Sequence, residues 1–382
     1  MSDLITNNLD LNKDDFKFIN GFGFNRFDQV VGKPSTYAKD VFKRFIKNPW
    51  TVIFSGVFLL IILLIIFVPI LSPFSATDPI SKNVFAENLR PRWHGGIING
   101  YYQTAIPKNL YDEMIINNKG FIITKPEDVK IIGNMYYVTI NPYALDELQN
   151  YYPLFGTDSR GVDIWTKSWV GAGSSLLIAV GVASISVVIG AIYGSISGAF
   201  AGRWVDIIMM RIIEILSGVP TILWLLILSV IFSSNKSSTI LDNQSLFFSL
   251  VAIMWMSPAN LTRTYIMKTK DAEYVQAVRT LGGNQFRIIF VHMLPNICGK
   301  LLVRFVHIIP VVIFFESTLV FLGLKSPTEL GLGTLINDGN AVQEYIAPLL
   351  LPALIMILLT LSAQIIANGL NDAVDPRSDS RK

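Results

Sequence analysis

The 382-residue chain is 51% hydrophobic, only 15% charged, and has a mean hydropathy of +0.48. Soluble domains carry about a quarter charged residues, so this composition excludes an ordinary soluble globular protein. A net charge of +3 is too small to point to nucleic acid, and the single cysteine, Cys298, excludes an intrachain disulfide and a cysteine-rich metal site.

Residues 1–32 are polar, with Phe16, Phe18, Phe22, Phe24 and Phe27 scattered among them. A disordered tail and a strip packed on a cytoplasmic partner both fit. Residues 34–48 predict a basic amphipathic helix on the inner membrane surface, with Tyr37, Val41, Phe42 and Phe45 on one face. Trp50–Leu71 follows without one charged residue. About 20 apolar residues cross a bilayer, so this is the first predicted span. It begins too late and runs too long for a cleaved signal peptide, and reads as a retained anchor.

Residues 72–155 form a long connection rich in Tyr, Trp, Ile, Asn and Pro. Runs at Gly120–Thr124 and Met135–Ile140 read as short strands. The segment predicts a small folded extracellular element of mixed or β character. Its size is near the lower limit for a core of its own, so it is expected to lean on a neighbour.

Five more spans are predicted: Ser174–Phe200, Ile212–Phe232, Leu246–Leu261, Leu301–Leu324 and Ile346–Ala367. In the second span Gly190, Gly194, Gly198 and Gly202 recur every four residues, a spacing that lets another backbone approach one helix side. Helix packing and a place beside a transport path are compatible readings. Glu214, Gly218 and Pro220 mark the first part of Ile212–Phe232 as a separate interfacial helix.

Cytoplasmic loops are enriched in Lys and Arg. Lys33, Lys39, Lys43, Arg44 and Lys47 precede the first span, Arg203 and Arg211 follow the second, and Arg263, Lys268, Lys270, Arg279, Arg287, Lys300 and Arg304 lie between the fourth and fifth. Arg377, Arg381 and Lys382 close the tail. The alternate connections hold Lys236 alone, and Lys325 against Glu329, Asp338 and Glu344. Six spans with both termini inside satisfy this bias. Cys298 then falls at the inner end of the fifth span as a small apolar filler.

The segment from Lys268 to Asn296 is a charged, soluble-looking loop fixed between two spans. Asp271–Leu281 reads as one short helix, with Tyr274, Val278 and Leu281 on a face. Gly282 and Gly283 break it, and Asn284 can cap a second helix, Gln285–Met293, which Pro295 ends. Phe286, Ile289, Phe290 and Met293 line that second helix. Two amphipathic helices at a glycine elbow suit a groove on another protein. Small Ala277 allows close approach, and Asp271, Glu273, Arg279 and Arg287 can fix register by charge pairing. A hairpin lying on lipid is the other reading, and the acids Asp271 and Glu273 count against it.

Asp271–Asn296 resembles the coupling loop of binding-protein-dependent ABC importer permeases, which docks into a nucleotide-binding subunit. Phe155–Asp163, Gly202–Arg211, Glu316–Leu324 and Asn368–Arg377 are similar to the C-type permease subunit of oligopeptide, dipeptide and nickel importers. The resemblance runs from about Pro153 to Arg377 and leaves 72–155 outside the family core. It departs at Asp271-Ala-Glu273, where the family favours Glu-x-Asp, and at Val278, Asn284 and Val162. It implies an all-α polytopic membrane protein with six transmembrane helices and the type I ABC importer permease fold. The implied organisation is a 1–49 cytoplasmic tail with interfacial helix, a 50–71 first span, a 72–155 extracellular insertion, a 156–370 permease core with its 268–296 coupling loop, and a 371–382 cytoplasmic tail.

The resemblance also implies docking to the ATPase through Asp271, Glu273, Tyr274, Ala277, Arg279, Leu281, Gly282, Gly283, Phe286 and Arg287. Partners would be a second permease subunit in a heterodimer, two ATP-binding subunits, an extracellular substrate-binding lipoprotein and membrane lipid, in a bacterial inner membrane. No G-x-x-x-x-G-K-[ST] occurs, so ATP and Mg are expected on the partner subunits, with no cofactor on this chain. His94, His292 and His307 are too scattered to suggest a metal site.

His307 and Glu316 in the fifth span, and Gln364 and Asn368 in the sixth, are polar groups at membrane depth, where they usually face protein or water. His307 and Glu316 are about 13.5 Å apart along a helix and about 90° out of phase, so they do not pair. Glu316 is expected near the outer end, reachable by water, with a gating or packing role. A proton relay would instead make the chain an ion-coupled secondary transporter, but such a protein needs no amphipathic elbow. Peptide and nickel are not told apart by these residues.

Overall fold

The computed structural model describes residues 37–94, 98–117, 120–232, 243–324, 329–341 and 345–374. The phenylalanines of 1–32, the basic residues of the C-terminal tail, Lys33, Lys236, Lys325 and Glu344 lie outside the described residues.

The basic amphipathic segment forms α1 (Tyr37–Lys47), with Phe42 and Ile46 exposed. Asn48 caps the next helix, α2 (Pro49–Leu71), its Oδ1 accepting from Trp50 N at 3.2 Å. α2 is apolar on every face and largely exposed, as a helix against lipid is.

The 72–155 segment folds around a small core of its own, including Leu89, Ile106, Phe121, Val138, Ile140 and Leu148. Its antiparallel sheet has the order β1-β3-β2, from β1 (Tyr102–Pro107), β2 (Lys130–Ile132) and β3 (Met135–Ile140). A short helix, α3 (Lys108–Asn117), follows β1. Met135–Ile140 is a strand as expected; Gly120–Thr124 is not. That run makes one bridge, Ile122 to Ile140, and the Thr124 hydroxyl takes the Thr139 N–H at 2.6 Å, a donor a ladder would need.

The element also leans on its neighbours. Thr157 Oγ1 accepts from Leu89 N at 2.8 Å and donates to Ala86 O at 2.6 Å. Tyr345 donates its hydroxyl to Phe155 O while the Arg90 guanidinium lies 4.6 Å over its ring. Burial pushes the Tyr345 phenol above its ordinary pKa, so it stays a neutral donor.

Phe155–Asp163 is a tight knot at the head of α4 (Ile164–Ala199). Gly156 and Gly161 adopt φ of +80° and +74°. Asp163 caps α4 through Thr166 N at 2.8 Å, and Asp158 accepts from Arg160 N and Val162 N and from Lys167 Nζ at 2.5 Å.

The third predicted span is a broken pair, α5 (Trp204–Ser217) and α6 (Thr221–Phe232), bent by 91°. Pro220 has no N–H to continue the ladder and disfavours helix at Val219, so the chain turns there. Glu214 is exposed on α5, paired with Arg211 at 2.9 Å. The fourth span is longer than Leu246–Leu261: α7 (Asn243–Met254) and α8 (Met256–Thr269) together make a 27-residue span. After α9 (Glu273–Thr280) and α10 (Gln285–Arg287), a π turn over Ile288–Met293 leads into α11 (Leu294–Phe321). Pro295 therefore does not end a helix. Leu294 N donates five residues back to Ile289 O, widening the ladder just where the proline ring would strike an α-helical carbonyl. The result is one 37-residue helix, Gln285–Phe321. α12 (Leu332–Ala341) and α13 (Ala347–Val374) complete the described fold. Among the described residues five helices are long and apolar enough to cross a membrane, and the bent pair makes up to six.

Gly190, Gly194 and Gly198 press α4 onto α8. A Cβ at Gly190 would lie 2.7 Å from Trp255 O, one at Gly194 2.2 Å from Ala259 O, and one at Gly198 2.8 Å from Ile266 Cβ. Gly202 does not extend this row. It lies past the end of α4 in a left-handed turn, φ +80°, with open space around it.

Asp206 clamps the same two helices. Arg263 gives it a bidentate pair at 2.7 and 2.8 Å, and Ser197 Oγ donates at 2.6 Å. Glu316 lies near the end of α11, as expected, but water does not reach it: it is 0% exposed, and α12 packs on α11 beside it, with Gly333 set against Ser317.

Gly194→Ala should lower stability by about 1–3 kcal/mol through overpacking. A fall in the unfolding temperature in detergent, against no fall for Gly56→Ala on open α2, checks this. Tyr345→Phe should cost about 1 kcal/mol of anchoring. Faster proteolysis within 72–155, with unchanged cleavage elsewhere, is the expected readout.

Candidate functional site: the glycine elbow

The elbow is built by its glycines. Gly282 adopts φ +76° and donates to Arg279 O at 3.1 Å; Gly283 donates to Val278 O at 3.0 Å. This pair of bonds is a Schellman motif, which ends α9 and turns the chain. A Cβ at Gly283 would meet Val278 Cγ1 at 2.7 Å, whereas Gly282 has open space and needs only its left-handed backbone. Asn284 then caps α10, its side chain accepting from Phe286 N at 3.4 Å.

α9 starts at Glu273, two residues later than predicted, with Ala272 as an N-cap that makes no side-chain bond. Its anchored face also differs. Val275 is 0% exposed, and with Ala272 and Val278 it packs on Ile266 of α8 and on Ile288, Ile289 and Met293. Tyr274 and Leu281, read with Val278 as one face, are instead exposed. Helical spacing alone did not choose between the stripes; the decisive surface was the α8–α11 cleft beneath.

Two further bonds hold the elbow to the bundle: Asn296 Nδ2 donates to Tyr274 Oη at 3.3 Å and Gln285 Nε2 to Ala199 O at 3.4 Å.

What remains outside is a ridge of mixed chemistry. Leu281 is 87% and Phe286 68% exposed, with Tyr274, Ala277, Gly282, Asp271, Glu273, Arg279 and Arg287 also exposed around them. Large apolar side chains held out from a well-anchored base mark an interaction surface. Cys298 is likewise exposed, its neighbour Ile297 taking the buried position, so it is not a core filler. Gly190, Gly194 and Gly198 are absorbed in packing, and Glu316 is buried far along α11; neither joins the ridge. Among the described residues no group of three or more His, Cys, Asp or Glu is placed to hold a metal.

The sequence did not reveal Val275 as the anchor or the Asp206–Arg263 clamp. Asp206 stands in the Gly202–Arg211 stretch, and an acid flanked by membrane helices was the available signal for the clamp.

Residues 186–379 match the family described as binding-protein-dependent transport system inner membrane component, and residues 36–91 match the N-terminal TM domain of oligopeptide transport permease C. The second match carries the likeness upstream of Pro153, through α1 and α2. The chain is 45% identical to the oligopeptide transport system permease protein OppC of Mycoplasma pneumoniae over 357 residues, covering 92% of this chain and 93% of that one. It is 36% identical to OppC of Bacillus subtilis over 243 residues, 63% and 77% of the two chains. To the dipeptide transport system permease protein DppC of Lactococcus lactis it is 37% identical over 228 residues, 59% and 64%. With this helical membrane architecture and these matches, the chain belongs to the family of binding-protein-dependent transport system inner membrane components, the permeases of ABC importers.

Proposed function

We propose that this chain forms one half of the translocation path of an ATP-driven oligopeptide importer in a bacterial inner membrane. Its other half is a second permease subunit, two cytosolic subunits hydrolyse ATP, and an extracellular lipoprotein delivers substrate. The relatives named for oligopeptide transport, aligned over nearly the whole chain, support the substrate class.

The observation that carries the reading is the exposed ridge on a buried base. Val275, Ile288 and Ile289 fix the elbow to the bundle, so a push on Leu281 or Phe286 moves helices and not merely a loop. In this reading Tyr274, Ala277, Leu281 and Phe286 enter a groove on the ATPase. Asp271, Glu273, Arg279 and Arg287 set register at its rim, and Gly282 and Gly283 hold the angle. Gly190, Gly194 and Gly198 pack the wall of the path, and Glu316 braces α11 under α12. Both termini and the elbow face the cytoplasm, and 72–155 faces outward, where it meets the binding protein or the second permease.

Ala277→Trp and Leu281→Asp should each weaken ATPase association by about tenfold or more, as central interface residues do, and peptide uptake should fall with it. Membrane insertion should be unchanged. Wild-type uptake in both variants would remove the elbow from the docking role. On a Cys298→Ser background, a membrane-impermeant thiol reagent applied to intact cells should label a cysteine at position 110 and not one at 270; the opposite pattern would invert the topology.

A further inference from the structure

Arg304 lies on the membrane-spanning helix, 19 residues from Gln285 and 17 from Phe321, just inside the span predicted to begin at Leu301. Its Nη2 donates to Ser257 Oγ, and its Nε is enclosed with no hydrogen-bond partner. Two buried or half-buried cations nearby in the fold are neutralised, Arg263 by Asp206 and Lys167 by Asp158 and Asp338. No ion pair among the described residues engages Arg304. A guanidinium carries five N–H donors, in a fork that matches a carboxylate. A cation retained at membrane depth usually faces a water-filled cavity or a substrate route.

Arg304 borders such a cavity. About 680 Å³ opens between the α5–α6 break, α8 and α11, within the range of small-ligand sites. Trp224, Met254, Met256 and Phe315 give it an apolar, adaptable wall. Lys268 lines the same cavity, 36 residues before Arg304 in sequence and at the far end of α8, and it too has no ion pair among the described residues. An apolar wall with cations along it suits an elongated solute with varied side chains and one constant negative end.

We propose that Arg304 is a carboxylate-recognition point on the translocation path, binding the C-terminal carboxylate of a peptide in transit. The proposal rests on the peptide reading above. An acidic residue of the second permease is the competing occupant, and the experiment separates the two.

The test uses the whole importer in proteoliposomes, with one peptide supplied as the free acid and as the C-terminal amide. The quantity measured is the ratio of their ATP-dependent uptake rates in wild type, Arg304→Gln and Arg304→Lys. The binding protein is the same throughout, so its own preference cancels between variants. Arg304→Gln should lower the acid-to-amide ratio about tenfold, the scale of one lost hydrogen bond to a charged group. Arg304→Lys, which keeps charge without the fork, should retain an intermediate preference. An unchanged ratio in both active variants, or an equal fall for acid and amide with loss of the second permease on purification, overturns the carboxylate role and leaves the peptide reading standing. Uptake of neither peptide by the wild type defeats both.

Discussion

The near-contact of two helix backbones, α4 on α8, is the constraint on which the rest depends. Lipid offers no hydrophobic drive for helices to associate, so close packing and satisfied polar groups must hold them. Gly190, Gly194 and Gly198 remove the side chains that would keep the axes apart, and Asp206 with Arg263 and Ser197 closes one end of the seam. α8 in turn presents Ile266 as part of the floor on which Val275 rests, so the position of the elbow follows from the glycine row.

A second dependence runs outward. The Asp158–Lys167 pair, the Asp163 cap and the Thr157 bonds form a single buried knot where the 72–155 element meets α4. Tyr345, just ahead of α13, closes on the same knot through Phe155. The small sheet is thereby fixed to the heads of two core helices, α4 and α13. Its core, which includes Phe121 and Leu148, is small, and these bonds extend its support onto its neighbours.

The sequence was most legible where one physical rule dominated. Uninterrupted apolar length gave α2, α4, α11 and α13, and the glycine row gave the packing face of α4. Gly282, Gly283 and Asn284 announced the elbow because left-handed turns and caps have few permitted residues. Legibility failed where tertiary context chose among local options. Val275 and Tyr274 stand on adjacent sides of a short helix, and only the cleft below selects Val275. Thr124 diverts a ladder bond that composition cannot foresee. Pro295 reads as a stop, yet the π turn before it lets the helix continue. Glu316 was expected within reach of water near the end of its span, yet it is fully buried.

The uninterrupted helix from Gln285 to Phe321 has a further consequence. At 1.5 Å per residue it is a lever about 55 Å long, with one end at the elbow. Tilting such a rod about its centre by 10° displaces each tip by about 5 Å while the middle barely moves. The midpoint of the rod, near Arg304, would therefore turn more than it travels, and the face it shows the cavity would turn with the tilt. In the proposed reading, work delivered at the elbow would reach the far end of α11 as angle, with no relay of intervening loops.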